Sequence, residues 1–277
     1  MQNAGIAASG LNWRYLAFEV RPEELRAAIV GAKTMQFLGL NLTVPHKLLA
    51  VDMVDALDES ARTWGAVNTI RFEGRERSGH WSPLHQFTDT PPEKIRAHGF
   101  NTDADAIAKS VREELDVELH GSRILLLGVG GAGRVAALKL AAEGVAELFM
   151  VNRTRSKAAS VAAEIRRRHP KVKVQLEYPR GEVDLAINAT SLGLGAKDPL
   201  PVDERQFSLR QARTVYEMIY RPAETRLLQA AKKAGSKVVN GLGMLLYQGA
   251  AALEIWSGKP APIEVMRRAL EREVYGH

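Results

Sequence analysis

The chain contains no cysteine among its 277 residues. That absence excludes a disulfide framework, a thiol nucleophile and a thiolate metal site, and nothing demands an oxidising compartment. Long hydrophobic runs are also missing, because Arg134, Lys139 and Glu254 break the most apolar stretches well short of the ~20 residues that span a bilayer. The N-terminus lacks a basic start followed by an apolar core. We therefore expect a cytoplasmic protein without an export signal or a membrane span.

Basic residues only slightly outnumber acidic residues. The chain has 38 basic and 32 acidic residues, a net charge of +6, which suits acidic small molecules and does not indicate a nucleic-acid-binding protein. Hydrophobic residues make up 45% and charged residues 25%, and these values exclude disordered, collagen-like and coiled-coil proteins. At about 150 residues per domain, the length predicts about two domains.

From residue 123 onward, short apolar runs alternate with helical patterns. Such alternation is typical of an α/β domain with a doubly wound parallel sheet. We place this domain at residues 105–239. Its predicted strands cover residues 124–127, 148–151, 172–176, 183–187, 215–219 and 238–239, and its predicted helices cover 135–142, 156–168 and 223–234.

The N-terminal part predicts a separate, smaller α/β domain at residues 1–104. Here we predict a strand at 14–20, a helix at 22–31 and helical structure with short breaks at 45–61. Residues 69–101 are rich in Gly, Ser, His and Pro and predict a long, mobile surface excursion, with His80 and His85 exposed to solvent rather than binding a metal. Apolar helices at 244–256 and 263–274 predict that residues 240–277 pack back on this domain.

A glycine-rich segment, GVGGAG at residues 128–133, follows a predicted strand and opens a predicted helix. In that context glycines allow a tight turn and the close approach of a pyrophosphate to the helix N-terminus. The residues predicted to bind this cofactor are Gly128, Gly130, Gly131, Ala132 and Gly133. The alternative is an ordinary glycine-rich turn.

A basic segment follows the second strand of the same domain. An NAD site places an acidic residue ~20 residues beyond the glycine motif, whereas this chain has Asn152, Arg153 and Thr154 there and Lys157 one helical turn later. Because a guanidinium can pair with the extra phosphate, NADP is predicted over NAD; the alternative is a solvated helix start. Thr190 follows another strand at its carboxyl end, where ligands bind in parallel sheets.

Three polar segments lie outside the cofactor-binding domain: NLTVPHK at 41–47, GAVNT at 65–69 and NTD at 101–103. Beside a nicotinamide, Lys47 and Asp103 supply what carbonyl reduction needs, namely a proton donor and a partner that orients it. Taken singly, Lys47 is equally a solvated surface lysine and Asp103 a helix cap. His46 is an alternative general acid.

Together these motifs resemble the shikimate dehydrogenase family over nearly the whole chain. The segments that carry the resemblance are NLTVPHK, GAVNT, NTD, GVGGAG, NRT at 152–154, NATSLG at 188–193, YRP at 220–222 and GLGMLLYQ at 241–248. The resemblance implies NADP-dependent interconversion of 3-dehydroshikimate and shikimate in aromatic amino-acid biosynthesis. It also implies two α/β domains, one of them a Rossmann-type NADP-binding domain, with the active site in the cleft between them.

The resemblance further implies a role for individual residues. The implied catalytic pair is Lys47 and Asp103, with Lys47 acting as proton donor or as a positioning charge. The implied substrate contacts are Thr43, Asn68, Tyr220 and Gln248, and the implied cofactor contacts include the phosphate clamp Asn152, Arg153 and Thr154 together with Gly241. We expect a small-molecule substrate and a monomer or homodimer.

The sequence departs from the family pattern in three places. The family opens with a strand and a Ser-x-Ser segment that hydrogen-bonds the substrate carboxylate, and this sequence begins after both, which predicts an exposed strand edge and weak carboxylate binding. Residues 69–101 are longer than the usual connection, and Asn240 stands where many relatives carry an acid. Two alternatives stay open: a quinate/shikimate dehydrogenase of broader specificity, and a catalytically weak NADP-binding module.

Overall fold

The computed structural model describes residues 1–88 and 91–276. The chain divides into two compact units, the first comprising Met1–Asp103 and Leu246–His277 and the second comprising Ala104–Leu245. Each unit combines helices with a sheet, so the predicted α/β class is confirmed.

The first unit is built on a mixed sheet. Its strands are β1 (Gly39–Asn41), β2 (Ala56–Leu57), β3 (Thr69–Arg75), β4 (Trp81–Pro83) and β5 (Ile95–Phe100). Its helices are α1 (Gln2–Ala8), α2 (Leu25–Thr34), α3 (His46–Leu49) and α4 (Glu59–Trp64), with 3-10 turns at Pro22–Glu24, Ala50–Asp52 and Leu84–Gln86. The strand order is β1-β3-β5-β2, with β4 paired to β3; β3 is antiparallel to β1, β4 and β5, and β2 is parallel to β5.

The second unit is built on a parallel sheet. Its strands are β6 (Arg123–Leu127), β7 (Glu147–Val151), β8 (Lys173–Gln175), β9 (Val183–Asn188), β10 (Ala212–Glu217) and β11 (Lys237–Val239). Its helices are α5 (Asp103–Leu115), α6 (Gly131–Ala142), α7 (Arg155–Arg168) and α8 (Arg226–Ala234), with a 3-10 turn at Leu209–Gln211. The last two helices, α9 (Leu242–Ser257) and α10 (Ile263–Tyr275), follow β11.

The order of the parallel strands indicates where a ligand is expected to bind in this second sheet. The order is β11-β10-β9-β6-β7-β8, so the chain leaves β6 toward one edge and returns to β9 to build toward the other. Such a reversal point at the carboxyl ends of the strands is the usual ligand site of a doubly wound sheet. It lies between β6 and β9, the strands that precede the glycine motif and Thr190.

In the first unit, β3 separates an apolar face from a charged one. Ile70 and Phe72 are fully buried in a cluster that includes Ile29 of α2 and Ala97 of β5, whereas the alternate residues of β3 face the other way. On that other side Trp256 of α9 donates from Nε1 to the Ile70 carbonyl at 2.9 Å. A side chain at position 39 is excluded there, because a Cβ on Gly39 would lie 2.1 Å from the Trp256 Nε1 atom.

The prediction of a long surface excursion at residues 69–101 is wrong. The described part of this segment contains β3, β4 and β5, and its residues Ile70, Phe72, Leu84 and Ala97 belong to the core cluster of the first unit. The glycines and prolines of this segment favoured a loop, whereas the period-two pattern decided the structure. His80 is exposed as predicted, but His85 is half-buried with its ring centroid 5.4 Å from that of Trp13. Part of the prediction falls on Asp89 and Thr90, outside the described residues.

The strand predicted at residues 14–20 is not formed either. Tyr15 is held by side chains: its N–H donates to Asn3 Oδ1 at 2.8 Å, and its hydroxyl donates to Asn41 Oδ1 at 3.1 Å. Leu16 and Phe18 are 67% and 63% exposed. Alternation produces a strand only where a neighbouring backbone pairs with it. Residues 45–61 also include β2 among their helical turns, because residues 56 and 57 pair with β5.

No helix among residues 1–88 and 91–276 is long and apolar enough to cross a membrane.

A buried charge cluster ties β3 to β5 on the charged face. Glu73, with a side chain 1% exposed, accepts hydrogen bonds from Arg71 Nε at 2.9 Å and Arg96 Nε at 2.7 Å, and His98 Nδ1 lies 3.0 Å from its Oε1 atom. Burial raises the pKa of the Glu73 carboxyl, but hydrogen bonds from His98, Arg71 and Arg96 outweigh it and lower the pKa from 4.5 to about 2. The carboxylate is therefore a stabilising group at neutral pH.

We predict that Glu73→Gln lowers the free energy of unfolding at pH 7 by about 3 kcal/mol, since the depressed pKa measures the preference of the fold for the ionised form. That stability is present above pH 4.5 and is lost as the pH falls through about 2. Urea unfolding across this pH range checks the prediction. The control is Glu224→Gln, which breaks an exposed pair with Lys232. Parallel pH profiles for wild type and Glu73→Gln would contradict the assignment.

Candidate active site

Lys47 and Asp103, predicted as a catalytic pair, are in direct contact. Lys47 Nζ donates to Asp103 Oδ2 at 2.8 Å, and the side chains are 27% and 8% exposed. Lys47 lies on the short helix α3, and the turn before this helix is closed by the His46 N–H, which donates to the Thr43 carbonyl at 2.8 Å. Asp103 begins α5, where the helix dipole favours a carboxylate. A lysine 56 positions earlier in sequence is thus held by a nearly buried acid.

Asn68 fixes the other oxygen of that acid. Its Nδ2 atom donates to Asp103 Oδ1 at 2.8 Å and to Thr102 Oγ1 at 2.9 Å, and its Oδ1 atom accepts the Thr102 N–H at 2.9 Å. Asn101 supports the same turn, since its Oδ1 atom accepts the Asp103 N–H at 3.1 Å. Both N–H groups of the Asn68 amide are occupied by protein groups. In this structure Asn68 therefore positions Asp103, in addition to any contact with substrate.

Two further predicted residues, Thr43 and Gln248, belong to the first unit. Thr43 is exposed at the start of α3, and Gln248 of α9 is half-buried, with its carbonyl accepting a hydrogen bond from Thr102 Oγ1 at 3.0 Å. His46, the alternative general acid, has an Nε2 atom that is buried and without a hydrogen-bond partner in the part of the chain that the structure describes. The hydrogen bond to Asp103 therefore belongs to Lys47 rather than to its neighbour.

The glycine motif forms a tight loop between β6 and α6. Gly128 has a φ of +90°, and its N–H donates to the Val151 carbonyl at 2.8 Å. A Cβ on Gly133 would lie 2.2 Å from the Gly128 carbonyl oxygen, so this contact requires glycine. The residues exposed at the start of α6 are Gly130, Gly131 and Ala132. Their backbone N–H groups make this helix end a suitable site for a pyrophosphate.

Asn152 connects the glycine loop to the basic segment. Its Oδ1 atom accepts the Val129 N–H at 3.0 Å, and its Nδ2 atom donates to the Thr154 carbonyl at 2.8 Å. The side chain predicted as part of a phosphate clamp thus shapes the loop backbone. Arg153, Thr154 and Lys157 are exposed at the start of α7, whose first turn contains no acidic residue. The positive charges of Arg153 and Lys157 are available for an anion, and the Thr154 hydroxyl can donate a hydrogen bond to it.

Thr190 lies in a turn that packs directly on the glycine loop. Asn188, at the end of β9, accepts at Oδ1 from the Thr190 N–H at 3.0 Å and from its hydroxyl at 2.7 Å, and it donates from Nδ2 to the Leu192 carbonyl at 3.0 Å. The methyl group of Thr190 contacts Gly128, where a Cβ would lie 2.6 Å from it. The hydroxyl of Thr190 therefore shapes the turn, and its methyl group closes the turn against the predicted pyrophosphate loop.

Two predicted residues follow β10 in the second unit. Tyr220 is 38% exposed in the loop after the strand. Gly241 is buried, its N–H donates to the Ile219 carbonyl at 3.2 Å, and a Cβ there would lie 2.1 Å from the Met218 carbonyl oxygen. Gly241 is thus required by close backbone packing against the loop that carries Tyr220.

Sequence reasoning missed Glu217, the last residue of β10, which is fully buried. Burial raises the pKa of this carboxyl, opposed by hydrogen bonds from Asn188, Ile219, Thr225 and Met218. The available signal was a single acidic residue inside the apolar run at 215–219, which the strand prediction absorbed. Among residues 1–88 and 91–276, no group of three or more His, Asp or Glu side chains is placed to hold a metal ion.

We predict that Gly133→Ala destabilises the protein by about 1–3 kcal/mol, because its Cβ overlaps the Gly128 carbonyl group. The matched control is Gly131→Ala in the same turn of α6, where a Cβ meets nothing within 4 Å. Thermal unfolding without ligand distinguishes them, with a lower Tm expected only for Gly133→Ala. Equal Tm values for the two variants would contradict the close packing of this loop.

Comparisons with known proteins match both units. The family model "Shikimate dehydrogenase substrate binding domain" matches residues 1–70, "Shikimate / quinate 5-dehydrogenase" matches 107–194 and "Shikimate 5'-dehydrogenase C-terminal domain" matches 241–271. The shikimate dehydrogenase (NADP(+)) of Methanopyrus kandleri is 37% identical over 98% of this chain and 89% of its own length. That of Moorella thermoacetica is 39% identical over 100% and 88%.

A solved structure shows the same fold. A crystal structure of a shikimate dehydrogenase in complex with NADP+ superposes with a TM-score of 0.81 at 35% identity, covering 98% of this chain and 89% of the other. With the extent and identity of the sequence matches, this likeness shows that the chain belongs to the shikimate dehydrogenase family.

Proposed function

We propose that this protein is an NADP-dependent shikimate dehydrogenase that interconverts 3-dehydroshikimate and shikimate. The observation that carries the proposal is the 2.8 Å contact between Lys47 Nζ and Asp103 Oδ2 in a chain whose relatives bear that name over nearly their full length. The enzyme is an oxidoreductase acting on a CH–OH group, and its substrate is a small molecule.

The residues present fit an NADP cofactor. Exposed backbone N–H groups at the start of α6 suit the pyrophosphate, and an anion there is favoured by the helix dipole. We assign the extra phosphate of NADP to Arg153, Thr154 and Lys157, because a guanidinium forms paired, charge-assisted hydrogen bonds with phosphate. When bound, the cofactor supplies the hydride that reduces the ketone carbon.

Lys47 supplies the proton in the reducing direction. Its ammonium has three N–H groups, of which one is directed to Asp103, and the side chain is exposed enough to face a substrate oxygen. Asp103 orients this ammonium through the 2.8 Å hydrogen bond. In the oxidising direction Lys47 receives the proton of the substrate hydroxyl.

The substrate is a polyol acid, so its ring hydroxyls need hydrogen-bonding partners. We assign these contacts to Thr43, Tyr220 and Gln248, and we assign Asn68 chiefly to the positioning of Asp103 because its amide N–H groups are occupied. The cytoplasmic location, the monomeric or homodimeric state and the absence of nucleic-acid binding stay predictions from the sequence.

We predict that Lys47→Ala lowers kcat for shikimate oxidation about 10²–10⁴-fold while the Kd for NADP+ stays within about twofold, since a general acid acts on the transition state. NADPH absorbance gives kcat, and calorimetry gives the Kd. The control is Lys33→Ala, which removes an exposed ion pair with Asp55 in the same unit. Loss of NADP+ binding with kcat retained would contradict the catalytic role. Wild type turning over quinate instead of shikimate would contradict the proposed substrate.

Arg153→Ala should raise the Kd for NADP+ at least about tenfold and leave the Kd for NAD+ within about twofold, because only NADP carries the extra phosphate. Arg167→Ala, an exposed arginine near the other end of α7, is the matched control for net charge. Calorimetric titration of both variants with both cofactors provides the comparison. Equal weakening of NAD+ and NADP+ would show that Arg153 does not bind the extra phosphate.

A further inference from the structure

Glu217 is a fully buried acid that no catalytic step uses. It ends β10 in register with Asn188, which ends the neighbouring parallel strand β9. The carboxylate accepts from Asn188 Nδ2 at 2.9 and 3.0 Å, from Thr225 Oγ1 at 3.0 Å and from the Ile219 N–H at 3.2 Å. Removing a carboxylate from water is costly unless its oxygens are satisfied, and here each oxygen accepts at least two donors.

On one side the carboxylate fixes the turn that closes the cofactor loop. By holding the Asn188 amide, Glu217 directs Asn188 Oδ1 toward the N–H and hydroxyl of Thr190. Thr190 in turn contacts Gly128, and a Cβ on Gly133 would lie 3.2 Å from the Cβ of Ala189. Glu217 is therefore linked to the predicted pyrophosphate loop through the Asn188 side chain and the turn that contains Thr190.

On the other side the same carboxylate fixes the loop that carries Tyr220. It accepts the Ile219 N–H directly before Tyr220, and it accepts the hydroxyl of Thr225, which is buried at the start of α8. Thr225 also contacts the first turn, since a Cβ on Gly193 would lie 3.4 Å from its methyl group. The two loops thus share a single anchor at the carboxyl end of the sheet.

We propose that Glu217 is a positioning residue that sets the turn at residues 188–193 and the loop at residues 218–225 relative to each other, so that the cofactor-binding loop and Tyr220 are placed by one carboxylate. The substrate half of this inference rests on the proposed function, because it takes Tyr220 as a substrate contact. The part of the inference that concerns NADP binding does not need the proposed substrate, because it rests on the position of the glycine loop at residues 128–133 alone.

Glu217→Gln tests the proposal, because it keeps the side-chain volume but replaces one carboxylate oxygen with an NH2 group. The oxygen accepts hydrogen bonds, whereas the NH2 group cannot accept them from the surrounding donors. We expect about tenfold increases in both the Kd for NADP+ and the KM for shikimate. The matched control is Thr214→Val, which removes a buried hydrogen bond of 2.6 Å to the Asp184 carbonyl near the other end of β10. That control should lower Tm and leave Kd and KM within about twofold.

A second variant keeps the proposal testable if Glu217→Gln does not fold. Thr225→Val removes the hydroxyl that donates to Glu217 on the Tyr220 side, together with the cap of α8, where Thr225 Oγ1 accepts the Leu228 N–H at 3.3 Å. The KM for shikimate should rise while the Kd for NADP+ stays unchanged, and Thr225→Ser, which keeps the hydroxyl, should restore the KM. The proposal would be overturned if Glu217→Gln or Thr225→Val lowered Tm as Thr214→Val does but left the Kd for NADP+ and the KM for shikimate unchanged. A wild type that binds NADP+ without oxidising shikimate would contradict the proposed function. In that case the positioning role of Glu217 would still be decided by comparing the Kd for NADP+ of Glu217→Gln with that of Thr214→Val.

Discussion

A lysine ammonium held 2.8 Å from a nearly buried carboxylate is the interaction on which the proposed chemistry depends. Such a pair can act on a substrate only if both groups are held in place, since the ammonium of a mobile lysine on a surface turn would be solvated by water instead of paired with the acid. Here the acid begins a helix and its second oxygen is held by Asn68. The Lys47 carbonyl accepts the Val67 N–H at 2.8 Å, which ties the lysine backbone to the segment that carries Asn68.

Much of the second unit could be predicted from the sequence, because its signals are local. Continuous apolar runs mark buried parallel strands, and the predicted strands lie within three residues of the observed ones. The glycine motif at 128–133 can be recognised for the same reason, because its requirements are local. Gly128 has a positive φ, and Gly133 makes a backbone contact that excludes a side chain. The pairing of Lys47 with Asp103 joins distant segments. The chemistry of carbonyl reduction and the family resemblance both indicated the two residues, and the structure adds their direct contact.

The features that could not be predicted depend on contacts that single residues do not reveal. Residues 69–101 read as a surface segment because their glycines and prolines were weighted above the period-two apolar pattern, although β3 pairs with β4 and β5 inside this same segment. Leu16 and Phe18 alternate as in a strand but lack a backbone to pair with in the described chain. Glu217 was hidden because a buried acid resembles a chance interruption of a strand until Asn188 and Thr225 are seen around it.

The proposed chemistry requires Lys47 and Asp103 to act as one unit, and a double-mutant cycle on kcat measures whether they do. Steady-state oxidation of shikimate by NADP+ is measured for Lys47→Ala, Asp103→Asn and the double variant, with NADP+ binding checked in each. If the two groups act as one, the double variant is about as slow as the slower single variant. Rate losses that multiply in the double variant would show that the two side chains act independently and would contradict the account.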